Sequence, residues 1–295
     1  ITLRRGTFLF GLGMVFNVVV WLPEGTFNWD ILTLIGASLL LLAFARHLPP
    51  GVLVLICVMV LLLSPILRVA TDYDSVWNLG DYDYDFTFED VVFGFFVNGY
   101  FPLFPWIVFP LMGFLVGDAV FPRPGRTEPR PWWVAGTGAA LVFFALAGVL
   151  CQGMPGPIGK HYLTGITMYP ASTCYVMGAL GSGMIGLLLL RRWIDQNPRI
   201  TGTGGILGFF RLFSTFSLTV YVLHHIAHVW PLWLYGQWMR NDPTYYWRTA
   251  VDTPTALLLA LIFIVVCWFA LLLLNRHPKY SRYALESLMR NTCDY

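Results

Sequence analysis

The chain has 295 residues, of which 57% are hydrophobic and only 12% charged, with a formal net charge of +2. A soluble domain carries about 25% charged residues, so half of the usual charge is missing. With 17% aromatic residues and a mean hydropathy of +0.65, the composition excludes disorder, nucleic-acid binding and a secreted disulfide scaffold. A polytopic membrane protein with aromatic belts at two interfaces is expected instead.

A span needs roughly 20 mostly apolar residues. In chain order the runs are Gly6–Leu22, Asp30–Ala45, Gly51–Val69, Tyr100–Phe121, Pro131–Leu150, Pro170–Leu190, Phe209–Trp233 and Thr253–Leu274. The second is short. Placing both termini in the cytoplasm leaves only Arg68, Lys160, Arg240 and Arg248 outside, and the other cations inside. That asymmetry is the positive-inside pattern. The expected fold is therefore all-α: a membrane helix bundle of about eight spans over residues 1–275, with a cytoplasmic tail at 276–295.

Two runs are irregular. The fourth, GYFPLFPWIVFPLMGFLVGD, holds Pro102, Pro105 and Pro110. Proline removes a backbone donor, and a break at membrane depth survives only against protein or a water-filled cavity. Gly113 and Gly117 form a Gly-x-x-x-Gly face expected to give close helix contact. Gly178, Gly181, Gly183 and Gly186 in the sixth run suggest the same. The seventh run, from Gly205 to about Gly236, exceeds one hydrocarbon thickness. Its TGTGG start is expected at the membrane surface, with the span proper from Phe209 and an end or bend at Pro231.

The segment SLTVYVLHHIAHVWPLW places His224, His225 and His228 at mid-membrane to outer depth. Ionisable groups there usually face an interior cavity. Spacings of three and four put these imidazoles near one helix face, suited to a general base or proton shuttle. A pore-facing hydrogen-bonding cluster is the alternative. A shared metal lacks an obvious third ligand, so none is expected.

The outer segment DYDYDFTFED alternates carboxylates with aromatics, as an interfacial lid or a sugar-binding surface would; a calcium loop's glycine and glutamate are absent. Glu89 and Asp90 are the acids expected to point inward. Lys160 and His161 could approach the same cavity from another outer loop. On the inner face, Arg123, Arg126, Arg130, Arg191 and Arg192 could hold a phosphate-bearing donor, although topology alone also explains them. Five scattered cysteines without a Cys-x-x-Cys pair offer neither disulfide nor zinc framework.

Four strings taken together, LRRGTFLFGLG, GYFPLFPWIVFPLMGFLVGD, MYPASTCYVMGALG and FSLTVYVLHHIAHVWPLW, carry a resemblance. From Leu3 to about Leu274 the chain resembles heparan-alpha-glucosaminide N-acetyltransferase catalytic-domain-like membrane proteins. The resemblance implies transfer of an acyl group, typically acetyl from cytoplasmic acetyl-CoA, to an amine or hydroxyl of a glycan or cell-envelope acceptor. His225 and His228, with His224, would line the acceptor side. Tyr221, Pro105, Glu89, Asp90 and His161 would shape the cavity, and Arg191, Arg192 and Arg126 would sit nearest the acyl-CoA phosphates.

The family's Asp-x-x-Arg-Gly helix and outer-loop catalytic histidine do not occur in the sequence. The chain is therefore expected to lack the family's first helices, and that histidine maps to no position here. The lipid bilayer, the glycan acceptor and a second copy of the chain are the partners expected, in the plasma (inner) membrane of a bacterium. A small-solute or proton-coupled transporter and a non-catalytic assembly partner are the rival readings.

Overall fold

The computed structural model describes residues 1–21, 23–78, 81–121, 130–197, 205–242, 244–247 and 250–294. The first hairpin joins α1 (Thr2–Val20) to α2 (Ile31–Ala45). Small residues let the two backbones meet: a methyl group on Gly36 would overlap the Phe10 backbone, and one on Gly13 would lie 2.8 Å from the Thr33 amide. Asn17, fully buried in α1, donates from Nδ2 to the Thr26 carbonyl at 3.1 Å and ties the helix to its own exit loop.

After α3 (Pro50–Ala70) the chain makes a two-residue antiparallel ladder, β1 (Trp77–Asn78) with β2 (Asp81–Tyr82). It then enters the broken span: α4 (Phe88–Phe93), a π-helical turn at Gly94–Asn98, α5 (Leu103–Trp106) and α6 (Val108–Val120). Backbone donors freed by the break find protein acceptors. Tyr100 N–H donates to the Asn28 carbonyl at 3.1 Å and Phe101 N–H to the Trp29 carbonyl at 3.0 Å. Gly94 and Gly99 permit this approach, because a side chain at either would strike the Trp29 ring. The proline-rich break is therefore sealed by the α1–α2 loop, as the cost of unpaired amides in a membrane requires.

α7 (Pro131–Leu150) and α9 (Thr173–Leu190) pack as a second close pair, with α8 (Pro157–Tyr162) between them in the chain. Gly181 faces this contact, its missing methyl only 2.6 Å from the Gly138 carbonyl. Among the described residues Gly183 and Gly186 meet nothing, nor do Gly113 and Gly117, so the predicted close contact through the α6 glycine pair is not made there. A π-helical turn, Arg191–Asp195, continues α9.

The seventh run is two helices, α10 (Gly205–Thr215) and α11 (Ser217–Trp238), bent by 79° at Phe216. A span starting smoothly at Phe209 is thus corrected. Pro231 does not end α11, which continues to Trp238. α12 (Thr253–Arg276), α13 (Pro278–Ser281) and α14 (Leu285–Cys293) complete the chain.

All eight predicted runs are helical. Among the described residues, six helices are long and apolar enough to cross a membrane, and the bent pair makes a seventh; α2 is shorter. Arg5 and Asp294 form a two-point ion pair, Nη2 to Oδ2 at 2.6 Å and Nε to Oδ1 at 3.0 Å. Both termini therefore lie at one end of the bundle.

Helix contact through Gly36 has a direct check. Gly36→Ala should lower stability by about 1–3 kcal/mol, the usual penalty for overpacking, in thermal unfolding of detergent-solubilised protein. Gly113→Ala, with none of the described residues within 4 Å of the new methyl group, should leave it unchanged. Equal losses at both positions would contradict the packing described.

Candidate functional site

A cavity of about 860 Å³ opens at the end of the bundle where α1 finishes and α2 starts. That size falls within the range of small-ligand sites. Its floor is built from α1, α2 and α11, whose shared core includes Phe16, Leu32, Val229 and the body of Tyr221. β2 and the segment after it supply Tyr82, Asp83, Tyr84 and Phe86, the helix break supplies Tyr100, and the turn before α9 supplies Tyr169.

Asp30 is the N-cap of α2, yet its side chain makes no capping bond to its own helix. It reaches across the cavity floor instead and accepts the Tyr221 hydroxyl at 2.5 Å. Only 8% of Asp30 is exposed, so this donor replaces water that the carboxyl has lost.

One helical turn beyond Tyr221, His225 Nδ1 lies 3.0 Å from the Tyr221 carbonyl. A carbonyl can only accept, so Nδ1 carries a proton, and in the neutral ring Nε2 presents its lone pair. Nε2 has no hydrogen-bond partner among the described residues. The ring is held edge-on by Phe16 at 5.0 Å and Trp21 at 5.5 Å, centroid to centroid. Trp21 in turn meets Trp247 at 5.5 Å, which closes that side of the cavity.

The lid is pinned to the floor. Tyr84 Oη accepts from Phe27 N–H at 2.9 Å and donates to the Glu24 carbonyl at 2.6 Å. Burial raises the Tyr84 phenol. Burial, reinforced by the Asp30 charge, pushes Tyr169 up to about 12. These phenols stay protonated near neutrality and remain available as hydroxyl donors.

The charged groups lining the cavity are Glu24, Asp30 and Asp83, with no Lys or Arg among the described lining residues. An anionic group would meet repulsion here, whereas a neutral polyhydroxyl ligand or an amine would find carboxyl acceptors and aromatic faces.

Of the residues named from sequence, Tyr221 and His225 line this cavity together. The His224 ring lies beside that of His225, centroids 3.8 Å apart and tilted by 54°, but is not part of the lining. His228 is exposed, bonded through Nδ1 to the His224 carbonyl at 2.6 Å, with its ring 5.3 Å from Phe263 of α12. Glu89 is exposed on α4. Asp90 is occupied in a cap, accepting the Thr87 hydroxyl at 2.7 Å while Thr87 Oγ1 accepts its amide at 3.1 Å. His161 sits on α8 away from the lining, and Pro105 lines a separate small void beside Arg68.

Arg191 lies 5.3 Å from the Phe121 ring at the far end of α9, and Arg192 follows it. Arg126 and Arg123 fall outside the described residues. No group of three or more His, Cys, Asp or Glu able to hold a metal occurs among the described residues. Asp30, Trp21 and Trp247 escaped sequence reasoning. A carboxylate opening an apolar run was a visible signal for Asp30, but its partner is 191 residues away.

Two outcomes check this geometry. Tyr221→Phe strips the buried carboxyl of its donor and should cost about 1–3 kcal/mol, with Asp30→Asn costing less, both read by thermal unfolding. Tyr169 has a folded-state pKa above the ordinary value of 10.0, so its contribution to stability is intact below pH 10 and lost as pH rises through about 12. Tyr169→Phe should flatten that alkaline loss; an unchanged pH profile would place the phenol in water.

A model of the heparan-alpha-glucosaminide N-acetyltransferase catalytic family matches residues 2–149. No curated protein and no solved structure matches the chain. The matched half holds α1 to α7 and with them Trp21, Asp30, the lid and Tyr100, while Tyr221 and His225 come from the other half. This chain belongs to the heparan-alpha-glucosaminide N-acetyltransferase catalytic family.

Proposed function

We propose that the protein takes part in membrane acyl transfer, with the aromatic, acidic cavity as its acceptor site and acyl-CoA as donor. The observation that carries this reading is His225, whose Nε2 has no partner among the described residues and lies in a cavity with carboxyl groups and no cation among its described lining residues. Such an imidazole can take the proton from an acceptor amine or hydroxyl as that group attacks the acyl carbonyl. The carbon–sulfur bond then breaks, and the thiolate of coenzyme A leaves and is protonated.

The donor's phosphates fit poorly beside Glu24, Asp30 and Asp83. They suit the opposite end, where Arg191 and Arg192 follow α9, a helix ~27 Å long at 1.5 Å per residue. Donor and acceptor would therefore enter from opposite ends, with the arginine-bearing end and both termini in the cytoplasm. A glycan or cell-envelope sugar fits the acceptor cavity, since hydroxyls pair with carboxyls and tyrosines while ring faces stack on Trp21 and Trp247.

The test is transfer of labelled acetyl from acetyl-CoA to a panel of amino and neutral sugars, using protein in liposomes. His225→Ala should lower turnover by about 10²-fold or more, while His228→Ala should keep most of it. Equal activity in wild type and His225→Ala would overturn the assignment. Counterflow of sugar without any acyl donor would favour a transporter.

A further inference from the structure

α11 begins at a sharp bend without a cap of its own. Phe216 occupies the N-cap position and makes no side-chain capping bond. The third residue of the helix, Thr219, carries the amide that an N-cap side chain normally satisfies. Here the acceptor comes from the far end of the chain. Glu286, in the first turn of α14, accepts the Thr219 amide on Oε1 at 2.9 Å and the Thr219 hydroxyl on Oε2 at 2.6 Å. Thr219 Oγ1 returns the favour by accepting Leu285 N–H at 2.9 Å. This is the reciprocal logic of a capping box, built between two helices rather than within one.

The junction is also packed. Leu212 and Phe216 from the bend, Leu271 from α12 and Ala284 before α14 form one buried cluster. The other end of α14 is held to α1 by the Arg5–Asp294 pair. α14 thus grips two of the helices that build the cavity: α1, which ends against Trp21, and α11, with Tyr221 and His225.

We infer that Glu286 is a positioning residue for the cavity, acting as the N-cap of α11 supplied by the C-terminal segment. Tyr221 follows Thr219 by two residues, and its hydroxyl must meet Asp30 at 2.5 Å. Fraying of the first turn of α11 rotates and displaces Tyr221 before any other cavity group. A carboxylate at this point also complements the positive end of the α11 dipole. The consequence for acyl transfer rests on the acceptor-site reading; the cap and its coupling to Asp30 do not.

Hydrogen–deuterium exchange on the full chain in nanodiscs, followed by mass spectrometry, tests the cap without any activity assay. Glu286→Ala should speed exchange at residues 217–225 by ~5-fold or more, the scale of a lost cap. Exchange should also rise at residues 28–34 across the cavity, through the loosened Tyr221–Asp30 bond, and a merely local helix end would not move that segment. Glu286→Gln, which keeps an acceptor for the amide, should restore much of the protection. In the transfer assay the acceptor KM should rise while the acetyl-CoA KM stays put. Should Glu286→Ala fold poorly, Thr219→Val removes the hydroxyl bonds while leaving the carboxylate, and the same two segments are read. Unchanged exchange at residues 28–34, or an unchanged acceptor KM in an active enzyme, would overturn the inference. If the wild type transfers no acetyl, the acyl-transfer reading fails and the exchange result alone decides the cap.

Discussion

The cavity depends on the hydrogen bond between Tyr221 and Asp30. It joins the first helical hairpin to α11 across 191 residues, and it gives a buried carboxyl the donor that burial demands. Because His225 hangs from the Tyr221 carbonyl, the same contact that anchors Tyr221 also aims the imidazole. The aromatic walls come after this: Trp21 and Phe16 hold the ring edge-on, and the lid closes over a floor already fixed in place.

A second constraint comes from backbone chemistry. Proline interrupts the fourth apolar run, and the freed amides of Tyr100 and Phe101 must find acceptors that water cannot supply within a membrane. They find Asn28 and Trp29, in the loop that also presents Asp30. Sealing the break and shaping the cavity are therefore one event. Charge is distributed to match: acids line this end, while the Arg191–Arg192 turn lies at the other end of α9. The C-terminal helix holds α1 and α11 from below through Asp294 and Glu286.

Much of the fold was legible because apolar length is a local property. The runs Gly51–Val69 and Pro131–Leu150 match α3 (Pro50–Ala70) and α7 (Pro131–Leu150) almost to the residue. The 79° bend at Phe216 was not legible, since no proline or glycine marks it and its cap comes from Glu286 near the other end of the chain. The site was half legible. An imidazole at membrane depth is conspicuous, but choosing His225 over His228 requires knowing which neighbour each ring meets. Glu89 and Asp90 looked promising beside an apolar run; starting α4 instead commits Asp90 to the Thr87 cap. The glycines of α6 kept the pattern of a packing face without a partner among the described residues to meet them.

In the proposed acyl transfer, Asp30, Tyr221 and His225 would act as one unit on the acceptor. A double-mutant cycle on acetyl transfer, combining Asp30→Asn with Tyr221→Phe, tests it most directly. Groups that act only through their mutual bond give losses that do not add. The double variant should transfer acetyl no more slowly than the worse single variant, with the effect confined to the acceptor KM and turnover. Losses that simply multiply would show instead that the two residues serve separate purposes and do not act as one unit.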